Sequence, residues 1–441
     1  MRIALLLALG LILAGGCAWP KGGGPVGLSG YTLEDDKGPF LGLGVTYMAA
    51  LRHSKYDYPL LCSNLELLSV NGFGYIRVLS MVGWYSAWEG IEITPVDFTS
   101  REGKPVAAWP DYDAQLARLI DTAYDKYGLR VELTLFADAQ LMPERKQRLA
   151  HLDRVLSVVK GRESKVILLE VANEAWQNGF PGEAGERELR HYSDYLRKRT
   201  PALIALSAPP DSSLEGIHKL YDGSVADIAT VHFSRDMHSQ EGPWLPVRDC
   251  WAAARTLGRP ISSNEPIGPG SSVDSESDPV RLVSTALLAW TAGLPMYVYH
   301  TSAGVFAKEP FEEMAGLTSF ASLRTLLPPD LPNWTRDDGT AQSFPVASNC
   351  ERNCLGAALR APSEAGCMYC PGATRDKEFV LIPMGVREAG IELTAQVSVE
   401  MRIYNPFTGE LVLCGKYEPG DHLALPQGPQ LYVVRGRLRG G

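Results

Sequence analysis

The sequence predicts an α/β protein: a (β/α)8 TIM barrel followed by a small C-terminal all-β sandwich. Three observations predict it. Short apolar runs alternate with amphipathic helical segments over most of the chain, which implies a parallel sheet. The runs number eight, the count that closes such a sheet into a barrel. After Leu326-Leu-Pro-Pro-Asp330 the helical periodicity stops, and short strand-like runs separated by Gly, Pro and Asn turns take over. An open doubly wound sheet would carry a Gly-rich phosphate loop after an early strand, and none follows the first run.

Taken in order, strands are expected at residues 40–47, 75–80, 129–136, from Val166, and at 202–207, 228–233, 260–265 and 295–300. Helices are expected at 58–71, 111–127, 149–160, 186–198, 251–257 and 280–292. The segment 111–127 spaces Leu116, Leu119, Ile120 and Ala123 at helical intervals and ends at Gly128. The run 166–169 is wholly apolar, as suits a strand buried on both faces. The later strands fall near 379–382, 392–399, 401–404, 411–413, 422–425 and 430–434. No internal repeat is visible. The expected division is a lipoprotein-type signal peptide at 1–16, a tether at 17–37, the barrel at 38–326 and the sandwich at 327–441.

Arg2 and the apolar stretch 3–13, too short to span a bilayer, read as an export signal. Ala14-Gly15-Gly16-Cys17 resembles the lipobox of bacterial lipoproteins, which implies lipidation of Cys17 and a cell-envelope location, periplasmic or surface-facing; plain secretion is the alternative. Gly22-Gly23-Gly24 reads as a flexible tether. The net charge is −9 with no dense Lys/Arg run, which argues against nucleic acid or an anionic membrane surface as partner. A membrane enters only through the lipid anchor. Oligomeric state is not legible.

Two carboxylates stand at strand ends. Val166-Ile-Leu-Leu-Glu-Val-Ala-Asn-Glu174 closes the fourth run, and Pro260-Ile-Ser-Ser-Asn-Glu265 closes the seventh. The C-terminal ends of barrel strands are where such folds keep their chemistry. A pair of carboxylates held about 5–5.5 Å apart is the equipment of a retaining glycosidase. Glu132 and Glu170 sit deeper, mid-strand, and read as barrel-interior groups satisfied by neighbours.

Asn173-Glu174 ending strand four, Glu265 ending strand seven and His232 in strand six together resemble the clan A glycoside hydrolases, within the cellulase-like superfamily. The resemblance covers the barrel. It implies Glu174 as general acid/base, Glu265 as nucleophile, Asn173 on the sugar 2-hydroxyl and Arg77 beside the nucleophile. Proximity to Glu265 is expected to raise the pKa of Glu174. Cellulase-like families carry His-x-Tyr in strand six, whereas this chain has His232-Phe233-Ser234, so a tyrosine partner for Glu265 is expected from Tyr297 or Tyr299. Strand eight ends in His300 with no Trp following. Sugars present apolar faces, so Trp84, Tyr85 and Trp88 after strand two, Trp176 after Glu174 and Trp244 after strand six are candidate platforms. Tyr299, His300 and His232 are further substrate-binding candidates, with His53 and Asp138 behind them. The implied activity is hydrolysis of an oligo- or polysaccharide by double displacement, with no cofactor. The alternatives are a transglycosylase using the same residues and a catalytically inactive carbohydrate-binding surface lipoprotein.

No His-x-His or His cluster marks a catalytic metal. Cys350, Cys354, Cys367 and Cys370 have the spacing of a structural zinc site, and an oxidising compartment favours disulfides instead. Cys62, Cys250 and Cys414 read as buried thiols. Arg402-Ile-Tyr-Asn-Pro-Phe-Thr-Gly-Glu410 resembles the small sandwich appended to several barrel glycosidases.

Overall fold

The computed structural model describes residues 23–210, 213–235, 253–307, 309–337, 344–348, 370–384, 390–426 and 431–440. The expected signal segment 1–16, Cys17, Trp244, Cys250, Cys350, Cys354 and Cys367 lie outside these residues.

Eight parallel strands form one curved sheet: β1 (Gly42–Thr46), β2 (Tyr75–Leu79), β3 (Arg130–Phe136), β4 (Val166–Ala172), β5 (Ile204–Ala205), β6 (Ala229–Val231), β7 (Ile261–Ser263) and β8 (Met296–Tyr299). Every expected strand is present. The spatial order is β5-β4-β3-β2-β1-β8-β7-β6, chain order read around a barrel. Every residue of β1 to β4 is buried, because helices cover the outside and side chains fill the inside.

The seam between β5 and β6 lacks a regular ladder. Asp227 and Ile228 donate their amides to the Ile204 carbonyl at 2.8 and 3.3 Å. Above them a side chain takes over. The Tyr221 hydroxyl accepts from the amides of Leu206, Ser207 and Thr230 at 3.3, 3.2 and 2.9 Å and donates to the Ser207 carbonyl at 2.9 Å. One phenol thus supplies the acceptor that short strands leave missing.

The segment expected to belong to the tether is structured from Gly27 onward. Gly27–Ser29, Thr32–Asp35 and Gly38–Phe40 form an antiparallel sheet. Its apolar residues Val26 and Leu33 cluster with Tyr75, Ile167, Leu203 and Met296, at the N-terminal ends of barrel strands. It therefore plugs the floor of the barrel, opposite the strand ends that carry Glu174 and Glu265. Asn333 anchors it, accepting from the Tyr31 amide at 2.7 Å and donating to the Ser29 carbonyl at 2.8 Å.

Beyond the barrel, the described strands form a six-stranded and a three-stranded antiparallel sheet around a second apolar core that includes Phe379, Leu393, Met401 and Tyr432. Cys414 is exposed on Leu411–Tyr417, not buried as expected, because that strand lies at the edge of its sheet. No helix among the described residues is long and apolar enough to cross a membrane.

Tyr221→Phe deletes the seam acceptor and leaves buried amides of β5 and β6 without a partner. The expected cost is about 2 kcal/mol, read as a lower Tm in scanning calorimetry.

Candidate active site

The chain leaves β4 through a tight turn. Asn173 donates its amide to the Phe136 carbonyl at 3.0 Å, and the Ala175 amide donates to Ser207 Oγ at 3.0 Å. Glu174, between them, adopts φ 37°, in the left-handed region that a residue with a Cβ rarely enters. Such strain costs on the order of 1–3 kcal/mol and persists where the surroundings over-determine it.

Glu174 and Glu265 come together at the mouth. With His232 they present ligand atoms that lie within 4.8 Å of one another. His232 Nδ1 sits 3.0 Å from Glu174 Oε1 and 3.7 Å from Glu265 Oε2. Beneath them Arg77, fully buried, donates to Glu265 Oε1 at 2.6 Å, Glu170 Oε2 at 2.8 Å and Asn173 Oδ1 at 2.8 Å. Its Nε lies 3.5 Å from Glu132 Oε1. The strand register aligns Arg77 with Glu132 across β2 and β3, which puts these charges in one interior layer.

The partner of Glu265 expected from strand eight does not come from there. Side-chain alternation turns Tyr297 and Tyr299 outward under the helices, where both pack on Phe320, at centroid distances of 6.5 and 5.0 Å. The Tyr299 hydroxyl donates to the Ala315 carbonyl. The donor is instead Arg235, which sequence reasoning missed. Its Nη1 donates to Glu265 Oε2 at 2.7 Å and its Nη2 to Glu174 Oε1 at 3.4 Å, so one guanidinium bridges both carboxylates. A basic residue just past the strand-six His-Phe-Ser was the available signal.

Burial raises the Glu265 carboxyl, but His232, Arg77 and Arg235 outweigh it and hold it well below the usual carboxylate range. Glu174 also lies below its ordinary value: burial and Glu265 raise it, and the His232 hydrogen bond and Arg235 prevail. The sequence-based expectation of a raised Glu174 pKa is thus overturned, and Arg235 is part of the reason. Burial pushes Glu132 up to about 7; Arg77 opposes this and Glu170 adds to it. Glu132 Oε1 accepts from Asn264 Nδ2 at 3.1 Å.

A cavity of about 350 Å³ opens above the pair, lined by Asn173, Glu174, Gln177, Arg235, Glu265 and His300, with Tyr85, Trp88 and Phe306 as aromatic wall. Trp88 and Phe306 are in contact, with ring centroids 5.2 Å apart. His300 Nδ1 meets Thr46 Oγ1 at 2.9 Å, and burial pushes the ring down to about 3, so it stays neutral. Asp138 also lines the cavity and accepts from the Gly83 and Trp84 amides at 2.8 and 3.0 Å. Trp84 itself is half-buried against the core and not part of this lining. Trp176 is exposed and lines a neighbouring cavity of about 210 Å³ with Phe180, Pro209 and Pro210. His53 is buried away from the cavity, with Nδ1 2.7 Å from the Tyr47 hydroxyl.

Glu132 titrates in the folded state above its unfolded value, so it carries a proton that the unfolded chain has already lost. That penalises the native state as pH rises from the unfolded value through about 7. The Tm of wild type relative to Glu132→Gln should therefore fall between pH 5 and 8, measured by calorimetry across that range.

No family model matches the chain, and no curated protein matches its sequence. Solved structures do match its fold. A glycoside hydrolase family 5 structure from Bacteroides vulgatus ATCC 8482 shares 12% identity over 94% of each chain with a TM-score of 0.68. A second structure, described as a glycoside hydrolase, shares 13% identity over 94% of this chain and 97% of its own with a TM-score of 0.64. The chain has the fold of these glycoside hydrolases over almost its whole length, as its resemblance to clan A implied.

Proposed function

We propose that the protein is a retaining β-glycosidase acting on an oligo- or polysaccharide. One observation carries the reading: Glu174 and Glu265, at the ends of β4 and β7, bring carboxylate oxygens within 4.8 Å at the base of an aromatic-walled cavity. That spacing suits double displacement and is short of the roughly 6.5–9.5 Å that an inverting pair keeps. Glu265, flanked by two guanidiniums, stays anionic and attacks the anomeric carbon. Glu174 protonates the leaving oxygen, then takes the proton from the incoming water. Asn173, oriented by Arg77, is placed to meet a sugar hydroxyl. Transglycosylation uses the same residues, with a sugar acceptor in place of water.

The export signal supports a cell-envelope location with Cys17 lipidated. Because the segment from Gly27 plugs the barrel floor, the chain from Cys17 joins the barrel on the side opposite the cavity.

A second reading, a carbohydrate-binding protein without turnover, draws support from Arg235, whose bridge across both carboxylates stands where a scissile bond has to sit.

The test is product release from β-glucans, mannans, xylans and galactans, with the product anomer followed by NMR. Retained configuration is expected, and Glu174→Gln and Glu265→Gln should each lower kcat by about 10³-fold or more. Near-wild-type turnover in both variants would sink the reading; binding to one glycan without release favours the second. The depressed Glu174 carboxyl adds a pH prediction. The alkaline limb of kcat/KM reports loss of the acid's proton in the free enzyme, so it should fall on the acid side of neutrality. A limb above neutral pH would contradict the assignment of Glu174.

A further inference from the structure

We propose that Arg235 is a displaceable clamp across the two carboxylates, and that the site selects glycans bearing an anionic group, a uronate carboxylate or a sulfate ester. The proposal rests on the glycosidase reading of Glu174 and Glu265 and names its substrate class.

The two arginines of the site differ in what they are free to do. The Arg77 side chain is fully buried, with Glu132, Glu170, Asn173 and Glu265 as partners, and does not line the cavity. The Arg235 side chain retains 14% exposure and, with both its carboxylate partners, lines the cavity. Among the described residues it is the cavity's one arginine or lysine. All four oxygens of the carboxylate pair are engaged: Glu265 Oε1 by Arg77 and Oε2 by Arg235, Glu174 Oε1 by His232 and Arg235, and Glu174 Oε2 by Gln177.

A glycosidic bond that is to be cleaved must touch both carboxylates, and the bridge from Nη1 to Nη2 spans that same gap. The guanidinium has to withdraw. A neutral hydroxyl cannot replace two charged partners of a desolvated guanidinium, which would be left short of counter-charge. A carboxylate or sulfate can, because it accepts two parallel N–H donors from the planar fork. Withdrawal also frees Glu174 from one cation at the moment it must hold a proton.

The experiment uses matched pairs: β-linked glucuronosyl disaccharides with their carboxyl-reduced twins, and 6-sulfated disaccharides with their desulfated twins. Calorimetric Kd and sugar release are measured for wild type, Arg235→Met and Arg235→Lys, each checked for an intact thermal transition. Wild type should bind one acidic member at least about tenfold tighter than its neutral twin. Which pair shows the preference separates carboxylate from sulfate. Arg235→Met should bring that pair to parity, and Arg235→Lys should keep part of the preference, so the lysine variant carries the test if the methionine variant does not fold. Equal affinity within every wild-type pair, or a preference unchanged by both substitutions, overturns the clamp. Acidic preference without bond cleavage overturns the hydrolase reading and leaves the clamp. Cleavage of neutral and acidic twins at equal rates overturns the clamp and leaves the hydrolase.

Discussion

The site depends on the Arg77 guanidinium in the barrel interior. It joins β2 to β3 through Glu132, to β4 through Glu170 and Asn173, and to the end of β7 through Glu265. A charge taken wholly out of water is tolerable only when it is paired and hydrogen-bonded. Burial alone would lower its pKa; the three surrounding carboxylates more than offset that and keep it charged. The dependence is mutual. Remove the arginine, and three buried carboxylates lose their shared counter-charge, a loss on the order of 3–5 kcal/mol for a broken buried pair. The nucleophile candidate is thus held by the same contacts that fill the barrel, which is how a strand-end carboxylate is fixed without relying on a loop.

Above this layer the electrostatics change character. Glu174 sits in a left-handed turn and shares His232 and Arg235 with Glu265. Its proton affinity is lowered first by the His232 hydrogen bond and then by Arg235, the partly exposed guanidinium. With Arg235 across the pair, the Glu174 carboxyl lies below its ordinary value. A ligand able to hold Arg235 would take away one of the cations that lower Glu174 and clear the gap between the carboxylates together.

Much of this was legible in the sequence, for physical reasons that also set the limit. Buried parallel strands must be apolar throughout, so runs such as Val166–Ala172 announced themselves. A charge inside such a run must find a partner, which is why Glu132 and Glu170 could be read as interior groups. The sheet formed by Gly27–Ser29, Thr32–Asp35 and Gly38–Phe40 was not legible: its stretch is glycine-rich and polar, and its burial depends on barrel ends far along the chain. Tyr221 was illegible, and the slight signal of Arg235 was passed over, for a related reason. Each acts across a gap between elements, and no local periodicity marks a side chain whose role is to bridge. Tyr299 was misplaced because the end of a strand locates a residue along the barrel axis, while alternation decides whether it faces in or out.

The sequence also offered two Asn-Glu dipeptides without ordering them, and the surroundings of the two asparagines differ in kind. Asn173 accepts from Arg77 and lines the cavity, placed to meet a ligand. Asn264 is fully buried and turned into the barrel, its Nδ2 donating to Glu132 at 3.1 Å and Glu170 at 2.8 Å. The carboxylates follow suit. Glu265 has a guanidinium on each oxygen and stays ionised, as an attacking group must. Glu174 has one guanidinium contact, at 3.4 Å, and a histidine, so its charge is the adjustable one of the pair. Adjustability is what an acid that later serves as base needs. The assignment of Glu265 to attack and Glu174 to proton transfer is thus supported by this difference in surroundings, independently of the strand on which each residue falls.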